Sequence, residues 1–173
     1  MKGLRAIPKV LKINEVEGYI VSLLFNNGES RLVDFRDFWS KYEAKKQHPA
    51  YKLLKDELEF KQIEIIGNTI AWKNTGIESK NLKGELEFYH YDIDPIVLFE
   101  QSVLDEKRKL GVGQLIRKER KKIGLTQEEL ARRSGTSKYY ISRIENNKSD
   151  IELLTLKKII EAGLGKQLNI QIA

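Results

Sequence analysis

Lys138, Tyr139, Ser142 and Arg143 bring two cations, a hydroxyl and a phenol together within six residues, groups able to hydrogen-bond a polar or anionic partner. Lys and Arg only donate hydrogen bonds, a Ser hydroxyl donates or accepts, and Tyr adds a flat ring with a polar tip. Ile141 and Ile144, three residues apart, sit among them. A helix from Ser137 to about Asn146 turns Ile141 and Ile144 inward and leaves Lys138, Tyr139, Ser142, Arg143 and Glu145 pointing away from the core. Neighbouring helical residues diverge by about 100°, so Tyr140 is expected to be partly buried and Tyr139 exposed. Upstream, the basic run Arg117 to Lys122 (RKERKK) is either a solvated helix face or a source of phosphate contacts.

Other constellations point nowhere comparable. His90, Asp92 and Asp94 share one strand face at period two, which a metal could bridge; an exposed polar face is the better reading. His48 and His90 are the only histidines, too few for a complete catalytic constellation. The absence of cysteine excludes disulfides, thiolate zinc sites, iron–sulfur clusters and a Cys nucleophile. Trp39, Trp72 and Tyr89 read as core rather than a base-stacking platform. Gly111-Val112-Gly113 reads as linker, because neither a strand nor a further glycine completes a phosphate-binding fingerprint. No enzyme activity, metal or cofactor is expected.

The elements that must position the candidate residues separate cleanly. A first helix runs from about Gly113 to Lys122, with Leu115, Ile116 and Ile123 apolar and Gly124 as its stop. A second starts at Thr126, where Thr126 and Glu129 form a capping box and Leu125 and Leu130 bracket it as a hydrophobic staple. Leu130 and Ala131 make its apolar stripe, and Gly135 ends it. The third starts at Ser137. A fourth runs from about Glu152 to Ala162, with Leu153, Leu156, Ile159 and Ile160 on one face. The closing LNIQIA alternates like a strand, and is expected to pair with the N-terminal sheet or with the same strand of a second subunit. Two short helices joined at a glycine turn, the second exposing polar and basic residues, describe a helix-turn-helix, whose second helix enters the major groove.

The rest of the chain differs in kind. IPKVLKINEV places Pro8 at a strand start, and GYIVSLLF and ESRLVDF flank the hairpin turn Asn26-Asn27-Gly28. Residues 36–47 space Phe38, Trp39 and Tyr42 as a short helix ending before Pro49. FKQIEII and TIAW flank a second turn, Gly67-Asn68. LEFYHYDID is a strand, and PIVLFEQSVL a helix with Pro95 near its first position. The fold class is α+β: an α+β domain of hairpins and short helices over residues 1–104, then an all-α domain over 105–173.

Charge follows that division. Of the 31 Lys+Arg and 25 Asp+Glu, residues 1–104 hold 15 basic and 16 acidic, and residues 105–173 hold 16 basic and 9 acidic. The C-terminal part therefore carries the whole excess of +6, the pattern of a polyanion-binding segment. The longest uncharged run, Gly18 to Gly28, is 11 residues, against about 20 for a membrane-spanning helix. A cytoplasmic protein with no membrane partner is expected.

LTQEELARRSGTSKYYISRIENNKSDIELLTLKKIIEAGLG, within about residues 113–165, resembles the XRE family of Cro/lambda-repressor-type helix-turn-helix domains. The resemblance implies phosphate contacts at Gln127 and Asn146 and base reading by Ser137, Lys138, Tyr139 and Ser142, with Arg143 on the same exposed side. Asn147 stands where the family often has Gly; Asn tolerates positive φ, so the turn should survive. Gly163 stands where a helix former is commoner and should fray the fourth helix. The N-terminal hairpin with NNGESRLVDF, the FKQIEIIGNTIAW segment and YDIDP resemble a small bacterial domain-of-unknown-function family. Its members occur alone or fused to an XRE domain, and the standalone ones are often paired in operons with a small predicted toxin.

The expected function is a sequence-specific DNA-binding transcription regulator, acting on double-stranded DNA as a homodimer. The alternative is the antitoxin of a toxin–antitoxin pair, its N-terminal domain binding a small toxin protein and its helix-turn-helix autoregulating the operon.

Overall fold

A computed structural model describes residues 7–40 and 46–171. The chain divides into two compact units between Lys109 and Leu110. Strands and helices mix in the first and helices alone build the second, so the fold class is α+β.

The first unit opens with three antiparallel strands, β1 Val10–Glu17, β2 Ile20–Phe25 and β3 Ser30–Asp34. The hairpin around Asn26-Asn27-Gly28 is present, with Gly28 at φ +82°. The helix expected over 36–47 is a single turn, α1 Phe35–Phe38, capped by Asp34; residues 41–45 lie outside the described part. The spacing served something else: Phe35 and Trp39, four apart, are both fully buried. A further helix, α2 Pro49–Lys55, starts at Pro49 itself, where the His48 ring accepts from the Ala50 N–H (3.2 Å). The short α3 Glu57–Phe60 follows.

A second antiparallel sheet contains β4 Glu64–Ile66, β5 Thr69–Lys80 and β6 Leu86–Asp92, in that order. Gly67 and Asn68 both take positive φ (+60° and +68°), as a two-residue hairpin turn demands. The helix at Pro95 is α4 Pro95–Gln101, with Pro95 in its first turn and Asp94 as its cap. It stops short of the expected Leu104 because β7 Val103–Leu104 pairs with β3 as the fourth strand of the first sheet. Asp105 ties the following residues to this unit. Its N–H donates to the Ser30 carbonyl (2.9 Å), and its buried carboxylate accepts from the Ser22 hydroxyl (2.7 Å). Residues 105–109, assigned above to the C-terminal part, therefore pack with the sheet.

The core of this unit is aromatic. Trp72 lies 5.4 Å from Trp39 and 5.7 Å from Phe60, ring centre to ring centre, and stacks on Tyr91 at 5.9 Å. Its indole N–H donates to the Phe60 carbonyl (2.7 Å), which satisfies a buried donor. Tyr89, expected in the core, is exposed on β6, because that strand runs on past the packed layer.

The second unit holds α5 Val112–Lys122, α6 Gln127–Ser134, α7 Lys138–Glu145 and α8 Leu153–Lys158, the last running into a π-helical turn, Ile159–Gly163. Ile116, Leu130, Ala131, Ile141, Ile144, Ile159, Ile160 and Leu164 form its core. Leu115, Ile123 and Leu153, read as apolar-face residues, are exposed. LNIQIA is not a strand over its described residues; Leu168 packs against the helical core instead.

Two glycines correct the sequence reading. Gly163 does not fray its helix: it is buried, and a Cβ there would stand 2.6 Å from the Leu130 Cδ1 atom, so its bareness lets that segment sit on α6. Gly113 is not linker but the second residue of α5. A Cβ at Gly113 would meet the Ile144 carbonyl oxygen at 2.0 Å, a backbone atom that cannot swing aside. Gly113→Ala is expected to force α5 and α7 apart and destabilise the second unit by about 1–3 kcal/mol, the cost of overpacking, read as a lower midpoint in thermal or urea unfolding.

Candidate nucleic-acid interface

The α6–turn–α7 pair is built from local signals that agree. The Thr126 hydroxyl accepts from the Glu129 N–H (3.1 Å), while the Glu129 carboxylate accepts from the Thr126 N–H (2.7 Å). This reciprocal cap satisfies donors that α6 would otherwise leave open. Gly135 stops α6 in the left-handed region (φ +63°, ψ +36°), and the Thr136 N–H bonds back to the Ala131 carbonyl (2.9 Å). The Ser137 hydroxyl then caps α7 by accepting from the Tyr140 N–H (3.1 Å). Asn147 takes φ +52°, so the turn after α7 is made with asparagine.

Ile141 and Ile144 are buried, and Tyr140 is half-buried against the same core. Tyr139 is 71% exposed, on the opposite side. Lys138 reaches Glu128 at 3.7 Å with both side chains solvated, a pair worth about 0–1 kcal/mol and easily released. Ser137 and Asn146 are exposed, while Ser142 and Arg143 are half-buried. Arg143 is not free: its guanidinium sits 5.6 Å above the Tyr139 ring and donates to the Tyr139 hydroxyl (3.2 Å) and to the Lys148 carbonyl. It braces Tyr139 and ties α7 to the segment after it. The Asn146 amide donates to the Ser142 carbonyl (2.7 Å).

Glu145, read above as pointing away from the core, is buried instead. It lies four residues after Ile141, on the same helix face, and receives Arg120 in a two-pronged pair: Nε to Oε1 at 2.6 Å and Nη2 to Oε2 at 2.8 Å. Arg120 also donates to the Leu125 carbonyl (2.7 Å), and Gln127 donates to Glu145 Oε2 (2.8 Å). Arg120 is thereby removed from the basic run as a phosphate ligand; Arg117, Lys118, Lys121 and Lys122 remain exposed. Gln127 is held at the start of α6 with one of its two amide hydrogens committed to Glu145 and the other spare.

The remaining candidates resolve simply. His90 lies 4.0 Å from Asp92, both partly exposed, and Asp94 is spent on capping α4. Among the described residues no group of three or more His, Asp or Glu is placed to hold a metal ion, and no helix is long and apolar enough to cross a membrane.

Comparison with known families finds the helix-turn-helix model HTH_3 matching residues 116–163. Residues 116–163 are thus a helix-turn-helix segment of the HTH_3 type. Three solved structures are similar. The wild-type restriction–modification controller protein C.Esp1396I is 37% identical over 33% of this chain and 74% of its own, with a TM-score of 0.32. A point mutant of that protein is 35% identical over 33% and 73%, also at 0.32. A protein of Nitrosomonas europaea, NE0471, is 14% identical over 88% and 84%, at 0.36. No curated protein matches the chain.

Burial pushes the Glu145 carboxyl up, and it is the largest single influence; the hydrogen bonds from Arg120 and Gln127 and the Arg120 charge together outweigh it and hold the group below the usual carboxylate range. A depressed folded-state pKa gives stability that is present above the ordinary Glu value, about 4.3, and lost as pH falls toward the folded value. Glu145→Gln is expected to flatten the acid limb of stability against pH below about 4.3, and Arg120→Ala to cost about 3–5 kcal/mol by stranding the carboxylate. Urea unfolding between pH 3 and 7 checks both; an unchanged acid limb in Glu145→Gln would assign that limb to the other depressed carboxyls, Glu119 and Glu129.

Proposed function

We propose that this chain is a sequence-specific DNA-binding transcription regulator whose reading helix is α7, laid in the major groove. The observation that carries the reading is the contrast between the two sides of α7. Ile141, Ile144 and Glu145 pin one side, while Ser137, Lys138 and Tyr139 are exposed and Ser142 half-buried along its N-terminal two turns. That is the part of a reading helix that meets base edges. Gln127, fixed by Glu145 at the start of α6, and Asn146 at the end of α7 flank this row as the two phosphate positions. The exposed remainder of the basic run adds sequence-independent charge. In this reading the active species is a homodimer, which on a two-fold operator would set two such helices about 34 Å apart.

The antitoxin alternative requires a toxin-binding surface on the first unit. The regulator reading needs no partner besides DNA.

Fluorescence anisotropy with DNA from upstream of the gene tests the proposal, run against scrambled competitor at two salt concentrations. Tight, competitor-resistant binding that weakens steeply with salt is expected. Weak binding that scrambled DNA removes equally would count against sequence-specific autoregulation. Within a binding chain, Arg143→Ala is expected to cost about 1–3 kcal/mol and relax specificity, directly or through Tyr139, whereas Gln127→Ala should weaken all sequences alike.

A further inference from the structure

The first unit contains a surface that this function does not use. β6 is an edge strand. Beyond the register shift between Trp72 and Gly76, β5 and β6 run on as a two-stranded ribbon, pairing Gly76 with His90, Ile77 with Tyr89, Glu78 with Phe88 and Lys80 with Leu86. At its root the strands approach closely: a Cβ on Gly76 would stand 2.0 Å from the Tyr89 carbonyl oxygen. Every residue from Leu86 to His90 is exposed, and so is Ile77. Leu86 at 72% and Phe88 at 49% face one side of the pleat; Ile77 at 55% and Tyr89 at 43% face the other.

Such a ribbon is poorly designed to stand alone. Two strands without a packed face are marginal in water, and an unpaired edge is a template for another strand. Edges that must stay open carry charged side chains, above all Lys, or Pro or a bulge; Leu86–Asp92 (LEFYHYD) has no Lys, Arg or Pro and only Glu87 and Asp92 as charges, and its one register shift with β5 comes at the root of the ribbon.

We propose that two copies of this chain join along the outer edge of β6, antiparallel and centred on Phe88, to make one continuous six-stranded sheet. The inference rests on the dimeric regulator reading and supplies its interface. The occupant is a second copy because the strand suits itself. In this register Leu86 lies opposite the partner's His90, Glu87 opposite the partner's Tyr89, Glu85 opposite the partner's Tyr91, and the two Phe88 rings meet at the two-fold axis. No like charges stand directly opposite one another, the two Glu87 carboxylates being diagonal neighbours across the axis, and the paired Phe88 rings are favourable across strands. The Glu–Tyr pairing repeats a contact already made within the strand, where the Tyr89 hydroxyl donates to Glu87 (3.0 Å).

The test uses the full chain without DNA, in sedimentation equilibrium across the micromolar range. The wild type is expected at twice its 20.1 kDa mass. Phe88→Lys places two cations at the axis and should raise the dimer dissociation constant about tenfold or more. Phe88→Glu should do the same, and mixing the two variants should restore the dimer, a rescue that a misfolded arm could not give. A monomeric wild type, or a dimer indifferent to both variants, overturns the proposal. A dimer lost instead on changing Leu153 and Leu154, exposed on α8 of the second unit, also overturns it. The DNA reading fails separately: a Phe88-dependent dimer that ignores sequence in anisotropy sinks the regulator but leaves the interface standing.

Discussion

The placement of the outward-facing row on α7 depends on one buried ion pair. α7 is two turns long, too short to be stable as an isolated helix, so its placement must come from tertiary contacts. Ile141 and Ile144 supply adhesion but little direction, since apolar contact tolerates rotation and sliding. The Arg120–Glu145 pair supplies direction, because a planar guanidinium and a planar carboxylate joined by two bonds fix distance and angle together. A buried pair of this kind is weak evidence of net stabilisation, since desolvation offsets most of the attraction. Its use here is geometric. One carboxylate joins α5, the end of α7 and the first residue of α6, so the three helices that flank the outward-facing row share a single fixed point.

The same pair explains how charge is used. The first unit, counted to Lys109, holds 18 basic and 18 acidic residues, and the second 13 and 7. All six excess charges lie with the helices. Arg120 is not among those free to meet phosphate, because Glu145 neutralises it inside the unit. Glu119, in the middle of the same basic run, is likewise occupied by Lys166 at 2.9 Å. A run that reads as predominantly basic is thus sorted by helix period into two paired residues, Glu119 and Arg120, and four solvated cations.

The second unit was legible wherever a residue acts on its own neighbours. Thr126, Glu129, Gly135 and Ser137 form caps and a turn within a few residues of sequence, and all stand where local rules put them. Legibility failed where the partner is distant. Glu145 was placed outward because it is charged, although its position four after Ile141 had marked the inner face; a cation 25 residues earlier made that burial tolerable. Gly113 reads as linker and helix start and Gly163 as a fraying point, yet each is a point of close approach to another helix, which no local pattern reports. In the first unit the hairpin turns at Gly28 and Gly67-Asn68 were visible for the same local reason. The aromatic core was only half visible: Trp39 and Trp72 were rightly placed inside, while Tyr89 was not, because strand alternation gives the face of a side chain but not where the packed layer ends.

On the proposed reading, a helix of two turns limits what one copy can do. Phosphate contacts give affinity without choice, and the few base contacts on one helix give choice with little affinity. Joining two reading units converts the second half-site contact into an intramolecular event, at an effective concentration that is millimolar for short flexible links. That gain needs a dimer held by residues that take no part in reading. The second unit has committed its interior to fixing α7, whereas the first is neutral and carries an open strand edge. On the proposed reading, the division at Lys109 would separate two physical tasks: adhesion by backbone and apolar contact before it, recognition by donors and cations after it.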